Sequence, residues 1–180
     1  MNTQQQLCRL LAERSLRRGD FVLSSGQRSS FYIDARRTTM SGLGQLLIGE
    51  LGLHALDAEG WSPRAVGGLT LGADPVAYAL AHTAASQGRT LDAFTVRKEA
   101  KAHGTAKLIE GLLEPGWSVV VVEDTITTGE SALRAVRHVR DAGGLVLGVL
   151  AIVDREEGGV SRLAAEGIRA HSLARVSQLL

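Results

Sequence analysis

Cysteine is almost absent from this chain of 180 residues. Cys8 stands alone, so no intrachain disulfide can form and no cysteine cluster can hold zinc. That usage suits a reducing compartment, and the cytoplasm is the expected location. Aromatics are scarce at 4%, so the core must be built mostly from Leu, Val and Ala. Excess charge of one sign is lacking too. The formal net charge of +1 argues against a nucleic-acid binder that relies on bulk electrostatics. No apolar run approaches the ~20 residues needed to span a bilayer. Residues 1–11 are rich in Gln and lack the unbroken apolar stretch of a signal peptide. Neither a membrane nor a nucleic acid is therefore an expected partner. No repeat, low-complexity tract or linker divides the chain, and its length suits one domain. The hydrophobic share of 44% and charged share of 22% are those of a soluble globular protein.

Periodicity organises what is present. Thr3 is a plausible helix cap, Leu7, Leu10 and Leu11 recur at helical spacing, and Gly19 would end that helix. Two short extended runs follow, Phe21-Val22-Leu23 and Phe31-Tyr32-Ile33, with the turn signal Ser24-Ser25-Gly26 between them. Residues 1–40 read as a small N-terminal hood beside a core over about residues 41–175. In that core, helices are expected at residues 43–56, 75–87, 131–141 and 161–166. Strands are expected at residues 65–67, 93–96, 119–122, 145–153 and 168–173. Strands alternating with helices predict an α/β fold with a parallel sheet. Ligands of such sheets sit beyond the carboxyl ends of the strands, so the strand-to-helix loops are where chemistry is expected.

The four valines at residues 119–122 suit a strand buried on both faces. They run into Glu123-Asp124 and then Thr125-Ile126-Thr127-Thr128-Gly129-Glu130-Ser131 before a helix. Two adjacent carboxylates at a sheet edge are costly unless they meet hydroxyls or a cation. Hydroxyls and backbone N–H groups at a helix N-terminus suit a phosphate. A sugar phosphate satisfies both halves, although a plain capped turn would use the same residue types. The loop is not a Walker A motif, because it lacks the Gly-Lys-Ser/Thr ending.

A second loop, Arg97-Lys98-Glu99-Ala100-Lys101-Ala102-His103-Gly104, packs four potential cations into seven residues at the end of another strand. Such a run wants an anion, and Arg can bind phosphate bidentately. A solvated surface loop, with His103 an ordinary surface histidine, is the alternative reading.

Residues 119–129 resemble the phosphoribosyl pyrophosphate (PRPP) signature of type I phosphoribosyltransferases. The resemblance implies a type I phosphoribosyltransferase-like parallel sheet flanked by helices, with a small hood. It implies that Glu123 and Asp124 hold ribose hydroxyls and that Thr125, Ile126, Thr127, Thr128, Gly129, Glu130 and Ser131 cradle the 5′-phosphate. The basic loop closely resembles the catalytic loop of the orotate phosphoribosyltransferases. That implies a homodimer with shared active sites, in which Arg97, Lys101 and His103 act in trans, with Lys98 as a further PRPP-binding residue. Two further stretches are similar to that family. One is Gly26 to Arg36, which implies orotate near Phe31 and Tyr32. The other is Asp154-Arg155-Glu156-Glu157, which implies that Arg155 faces the orotate carboxylate. Residues 67–75 resemble the family's pyrophosphate loop, although Leu71 and Ser24 stand where some relatives carry lysine. The implied activity is Mg²⁺-dependent transfer of phosphoribose from PRPP to orotate in pyrimidine synthesis, with Lys101, His103 and Asp124 as catalytic candidates. No firm protein metal ligand is implied; Asp124 is the nearest candidate, through water. The alternatives are a phosphoribosyltransferase for another base and a PRPP-sensing regulator.

Overall fold

The computed structural model describes residues 1–22, 28–99 and 108–180. In chain order its elements are α1 (Thr3–Arg14), β1 (Leu16–Val22), β2 (Arg28–Ile33), α2 (Arg36–Thr39), α3 (Gly42–Ala58), β3 (Ala65–Leu69), α4 (Ala73–Ser86), β4 (Asp92–Val96) and β5 (Ile109–Gly111). Then come β6 (Ser118–Ile126), α5 (Glu130–Asp141), β7 (Leu145–Asp154), α6 (Gly159–Ala165), β8 (Ala170–Arg175) and a 3-10 turn, Val176–Gln178. β1 and β2 pair as an antiparallel ribbon; the main sheet has the order β5-β4-β3-β6-β7-β8. Its strands are parallel except for the edge strand β5, which runs antiparallel to β4. No helix among the described residues is long and apolar enough to cross a membrane.

The valine run shows why this sheet forms. Val120 and Val122 join Leu7, Leu11, Ile48 and Leu80 in a core against α1, α3 and α4. Val119 and Val121 join Val136, Val139 and Leu163 in a second core against α5 and α6. Alternation along β6 thus feeds both layers, so every position of the run is apolar. Trp61 is the largest fully buried side chain and lies against Gly148 of β7, where a Cβ would come 2.2 Å from its ring.

The structure departs from expectation in the first helix, the acid pair and two short elements. The cap of α1 is Asn2, in a capping box with Gln5, and not Thr3. Gly19 does not end that helix. It lies within β1 at φ 157°, a conformation that L side chains rarely adopt, at the register shift between Arg18 and Phe21 where β1 pairs with β2. β6 continues past the valines to Ile126, so Glu123 and Asp124 belong to the strand and not to the loop after it. α2 and β5, of four and three residues, are too short to leave a periodic signal. The turn expected at residues 24–26 lies outside the described residues.

Replacing Gly148 with Ala should lower stability by roughly 1–3 kcal/mol, the usual range for overpacking. The midpoint of urea unfolding, read from Trp fluorescence, checks this; an unchanged midpoint would mean that Trp61 has room to move.

Candidate active site

From β3 the chain runs outward to β4 on one side, then crosses to β6 on the other. This reversal opens a crevice beyond the carboxyl ends of β3 and β6. A cleft of about 340 Å³ lies there. Its walls are hood residues 32–36, residues 69–72 at the end of β3, Lys98 after β4, Glu123, Asp124 and Thr125 of β6, Thr127 of the following turn, Ser131 of α5, and Arg155 after β7.

The acid pair divides between the two faces of β6. Asp124 lies on the α4 side, so close to Gly72 that a Cβ there would meet its Oδ1 at 2.6 Å. Any side chain at position 72 would displace the carboxylate. Glu123 is 5% exposed, and its Oε1 has no hydrogen-bond partner among the described residues. Burial, with the neighbouring Asp124, pushes its carboxyl up to about 8. Burial also raises the Asp124 carboxyl; backbone N–H groups and the Arg36 guanidinium hold it partly down. Buried oxygens without partners are rare in folded proteins, and these acids face a cleft that can bring hydroxyls or a cation.

Next to them lies a phosphate-sized nest. Gly129, at the N-cap of α5, adopts φ 77° and ψ 1°, a left-handed conformation that glycine takes without steric penalty. No side chain caps this end, so the first N–H groups of α5 open into a small cavity of about 40 Å³. Glu123 and residues 125–132 line it. Glu130 turns its carboxylate to Arg162 and to Arg137, 3.9 Å away. The Ile126 side chain is buried, and its carbonyl accepts from the Arg155 N–H at 2.9 Å. Position 126 can therefore offer a ligand backbone only.

Arg155 is 8% exposed, and its guanidinium carbon lies 5.5 Å from the centre of the Phe31 ring. Its Nη2 is 2.7 Å from Glu157 Oε1, an ion pair by distance. Yet neither Nε nor Nη2 makes a hydrogen bond with any described residue, because the contact with Glu157 lacks hydrogen-bond alignment. Nε–H and Nη2–H form one parallel edge of a guanidinium, the edge that fits a planar carboxylate bidentately. Tyr32 lies beside Phe21, ring centres 5.8 Å apart, and lines the cleft.

The cleft thus gathers Tyr32, Lys98, Glu123, Asp124, Thr125, Thr127, Ser131 and Arg155 from the sequence-predicted set. Phe31 joins it through Arg155. Arg97 stands just outside, 3.5 Å from Glu110. Lys101 and His103 lie outside the described residues. Asp34 and Arg36 were missed, although both line the cleft and pair at 2.9 Å. Their signal was the Asp-x-Arg directly after β2. Asp74, by contrast, is held by Thr70 Oγ1 at 2.7 Å and Thr95 Oγ1 at 2.8 Å, which secures the loop after β3.

A parallel sheet covered on both faces, with a buried acid pair and a phosphate nest at its switch point, defines a phosphoribosyltransferase of type I. A solved phosphoribosyltransferase from Corynebacterium diphtheriae has the same fold, with a TM-score of 0.87 and 40% identity over 99% of both chains. No protein-family model matches the chain. Orotate phosphoribosyltransferase of Aquifex aeolicus is 47% identical over 100% of this chain and 99% of its own. The Mycobacterium tuberculosis orotate phosphoribosyltransferase solved with PRPP is 43% identical over 99% of both chains, with a TM-score of 0.84. The chain belongs to the orotate phosphoribosyltransferase family.

The buried Glu123 should leave a mark on stability. Its folded-state value of about 8 lies above the ordinary 4.5, so the folded protein holds a proton that the unfolded chain releases. That contribution is fully present below about pH 4.5 and is lost as pH rises through about 8, with a slope of at most about 1.4 kcal/mol per pH unit. Urea unfolding without PRPP or metal should show stability falling from pH 6 to 9, and Glu123→Gln should flatten the decline. Equal slopes in the two proteins would place the proton elsewhere.

Proposed function

We propose that the protein catalyses transfer of the 5-phosphoribosyl group from PRPP to orotate, giving orotidine 5′-monophosphate and pyrophosphate in de novo pyrimidine synthesis. The observation that carries the choice of base is the Nε/Nη2 edge of Arg155, which makes no hydrogen bond with any described residue and lies beside the Phe31 ring at the wall of the cleft. A buried guanidinium whose Nε–H has no partner among the described residues, and whose Nη2 has only the unaligned ion pair with Glu157, suits a planar carboxylate, which orotate has and uracil, adenine and hypoxanthine lack.

The rest of the cleft then takes PRPP. The Gly129 nest and the hydroxyls of Thr125, Thr127, Thr128 and Ser131 receive the 5′-phosphate. Glu123 and Asp124 bind the ribose hydroxyls, Glu123 in protonated form able to donate as well as accept. Phe31 and Tyr32 flank the pyrimidine. Arg97, Lys98, Lys101 and His103 receive the pyrophosphate. Orotate N1 loses its proton to solvent and attacks the anomeric carbon, the bond to the pyrophosphate oxygen breaks, and its electron pair leaves with pyrophosphate. Positive charge grows on the ribose beside the two acids, while negative charge grows on the leaving group beside the cations. The protein thus contributes positioning and electrostatics, with no covalent intermediate.

Mg²⁺ fits this site as an ion held mainly by substrate oxygens and water. The described residues contain no group of three or more acidic, His or Cys side chains that could cage a metal, and Asp124 is the carboxylate at hand. When bound, it would neutralise charge on the pyrophosphate. A homodimer with shared sites completes the reading. Met40 and Leu71, each more than half exposed, flank a second cleft at the rim of the first, and Leu43, Leu46 and Tyr78 are exposed on α3 and α4. The lone cysteine supports a cytoplasmic location.

Orotate absorbance should fall when the purified protein meets PRPP and Mg²⁺, and Lys101→Ala should abolish the loss. Arg155→Ala should raise the KM for orotate roughly 30-fold or more, the scale of one charged bidentate contact, and leave the KM for PRPP nearly unchanged. Mixing the Lys101→Ala and Arg155→Ala proteins should restore part of the activity if Lys101 serves the partner's site. PRPP binding without turnover of orotate would sink the base assignment.

A further inference from the structure

The described clefts give the PRPP site a direction. The small nest cavity shares Glu123, Thr125, Thr127 and Ser131 with the main cleft. The second cleft, of about 400 Å³, shares Asp34, Arg36 and Leu71 with it. The two have no lining residue in common, so they adjoin different parts of the main cleft. With the 5′-phosphate in the nest and the ribose at the acid pair, the pyrophosphate on the anomeric carbon extends toward the loop at Leu71 and Gly72. Leu71 is 54% exposed and brings no charge.

Three cations line the main cleft among the described residues: Arg36, Lys98 and Arg155. Arg155 is buried against Phe31 and Glu157. Lys98 follows β4. Arg36 alone of the three also lines the cleft at Leu71. Its neighbour Arg37 is committed elsewhere, its Nε donating to the Arg14 carbonyl at 2.7 Å at the end of α1. Arg36 instead opens the first turn of α2 with its Nε on Asp34 Oδ1 at 2.9 Å, and its side chain remains 46% exposed. An exposed ion pair of this kind contributes little to stability, about 0–1 kcal/mol. Held by Asp34, however, the guanidinium keeps donors free for an anion in the cleft.

We infer that Arg36 is a substrate-binding cation of this enzyme, meeting the pyrophosphate arm of PRPP at the Leu71 rim, with Asp34 as its positioning residue. This rests on the PRPP-dependent reading above. It gives a function to a residue at the base of the hood, so the hood serves the phosphate donor as well as the pyrimidine. Negative charge grows on the pyrophosphate as the glycosidic bond breaks, so Arg36 assists departure as well as binding.

Calorimetric titration of PRPP with Mg²⁺ into wild type, Arg36→Gln, Arg36→Lys and the double variant Arg36→Gln/Leu71→Lys tests this. Arg36→Gln should weaken PRPP about tenfold or more, the scale of one charge-assisted contact, while the KM for orotate at saturating PRPP stays within about twofold. Arg36→Lys should retain most of the affinity. The double variant should recover much of it by restoring a cation at the same rim. PRPP affinity in Arg36→Gln within about twofold of wild type would overturn the inference. So would a loss that neither lysine recovers, since Arg36 would then act through the fold. Thermal unfolding of each variant identifies a folding defect. Wild type that binds PRPP but does not turn over orotate would defeat the base assignment and still leave Arg36 decided by the titration.

Discussion

Everything in the site depends on the burial of β6. This strand lies between β3 and β7, with α3 and α4 on one face and α5 on the other, and it carries two carboxylates straight out of a dry valine core. At that depth a carboxylate without a partner is expensive, and Glu123 meets the cost by holding its proton. The strand cannot turn the acids outward without taking valines from one of its two cores. The fold therefore holds the unpartnered Glu123 Oε1 beside a cleft that a ligand can enter.

The surroundings of that pair follow a consistent electrostatic plan. Acids occupy the middle of the cleft, where the ribose would carry positive charge as the bond to pyrophosphate breaks. Helix N–H groups stand at one end and cations at its margins, where the substrate's phosphates would lie. Gly72 lets the loop after β3 approach Asp124, and Gly129 turns the backbone so that the amides of α5 face the nest. Asp74, pinned by Thr70 and Thr95, keeps the approaching loop fixed. Rigidity here matters because preorganised dipoles need not reorient during reaction. Arg155 adds a buried guanidinium at the wall of the cleft, between Phe31 and Glu157.

The hood brings several groups to the cleft. Phe31 lies over Arg155, Tyr32 lines the cleft, and Asp34 and Arg36 follow within the next four residues. A short antiparallel ribbon can present groups this way because successive side chains point to opposite faces. Ser15, buried and hydrogen-bonded to Thr38 at 2.8 Å, ties the start of the ribbon to α2, so the hood is anchored at the same point where Arg36 leaves it.

By itself the sequence determined the alternation of strands and helices, the doubly buried valine strand, and the turn that leads from it into α5. Those features are local: hydrophobic period, turn residues and clustered charge are written within a few consecutive positions. The motif at residues 119–129 was legible for that reason. Tertiary structure decided what depends on contact between distant segments. Gly19 became strand because β2 lies beside it, and the acid pair became strand because β7 continues its ladder through Ile126. Glu123 and Asp124 were separated onto opposite faces by the period of the strand, which adjacency in sequence does not convey. Arg36 and Arg37 are identical neighbours in sequence. Only the packing of α1 against α2 assigned one to a helix end and left the other facing the cleft.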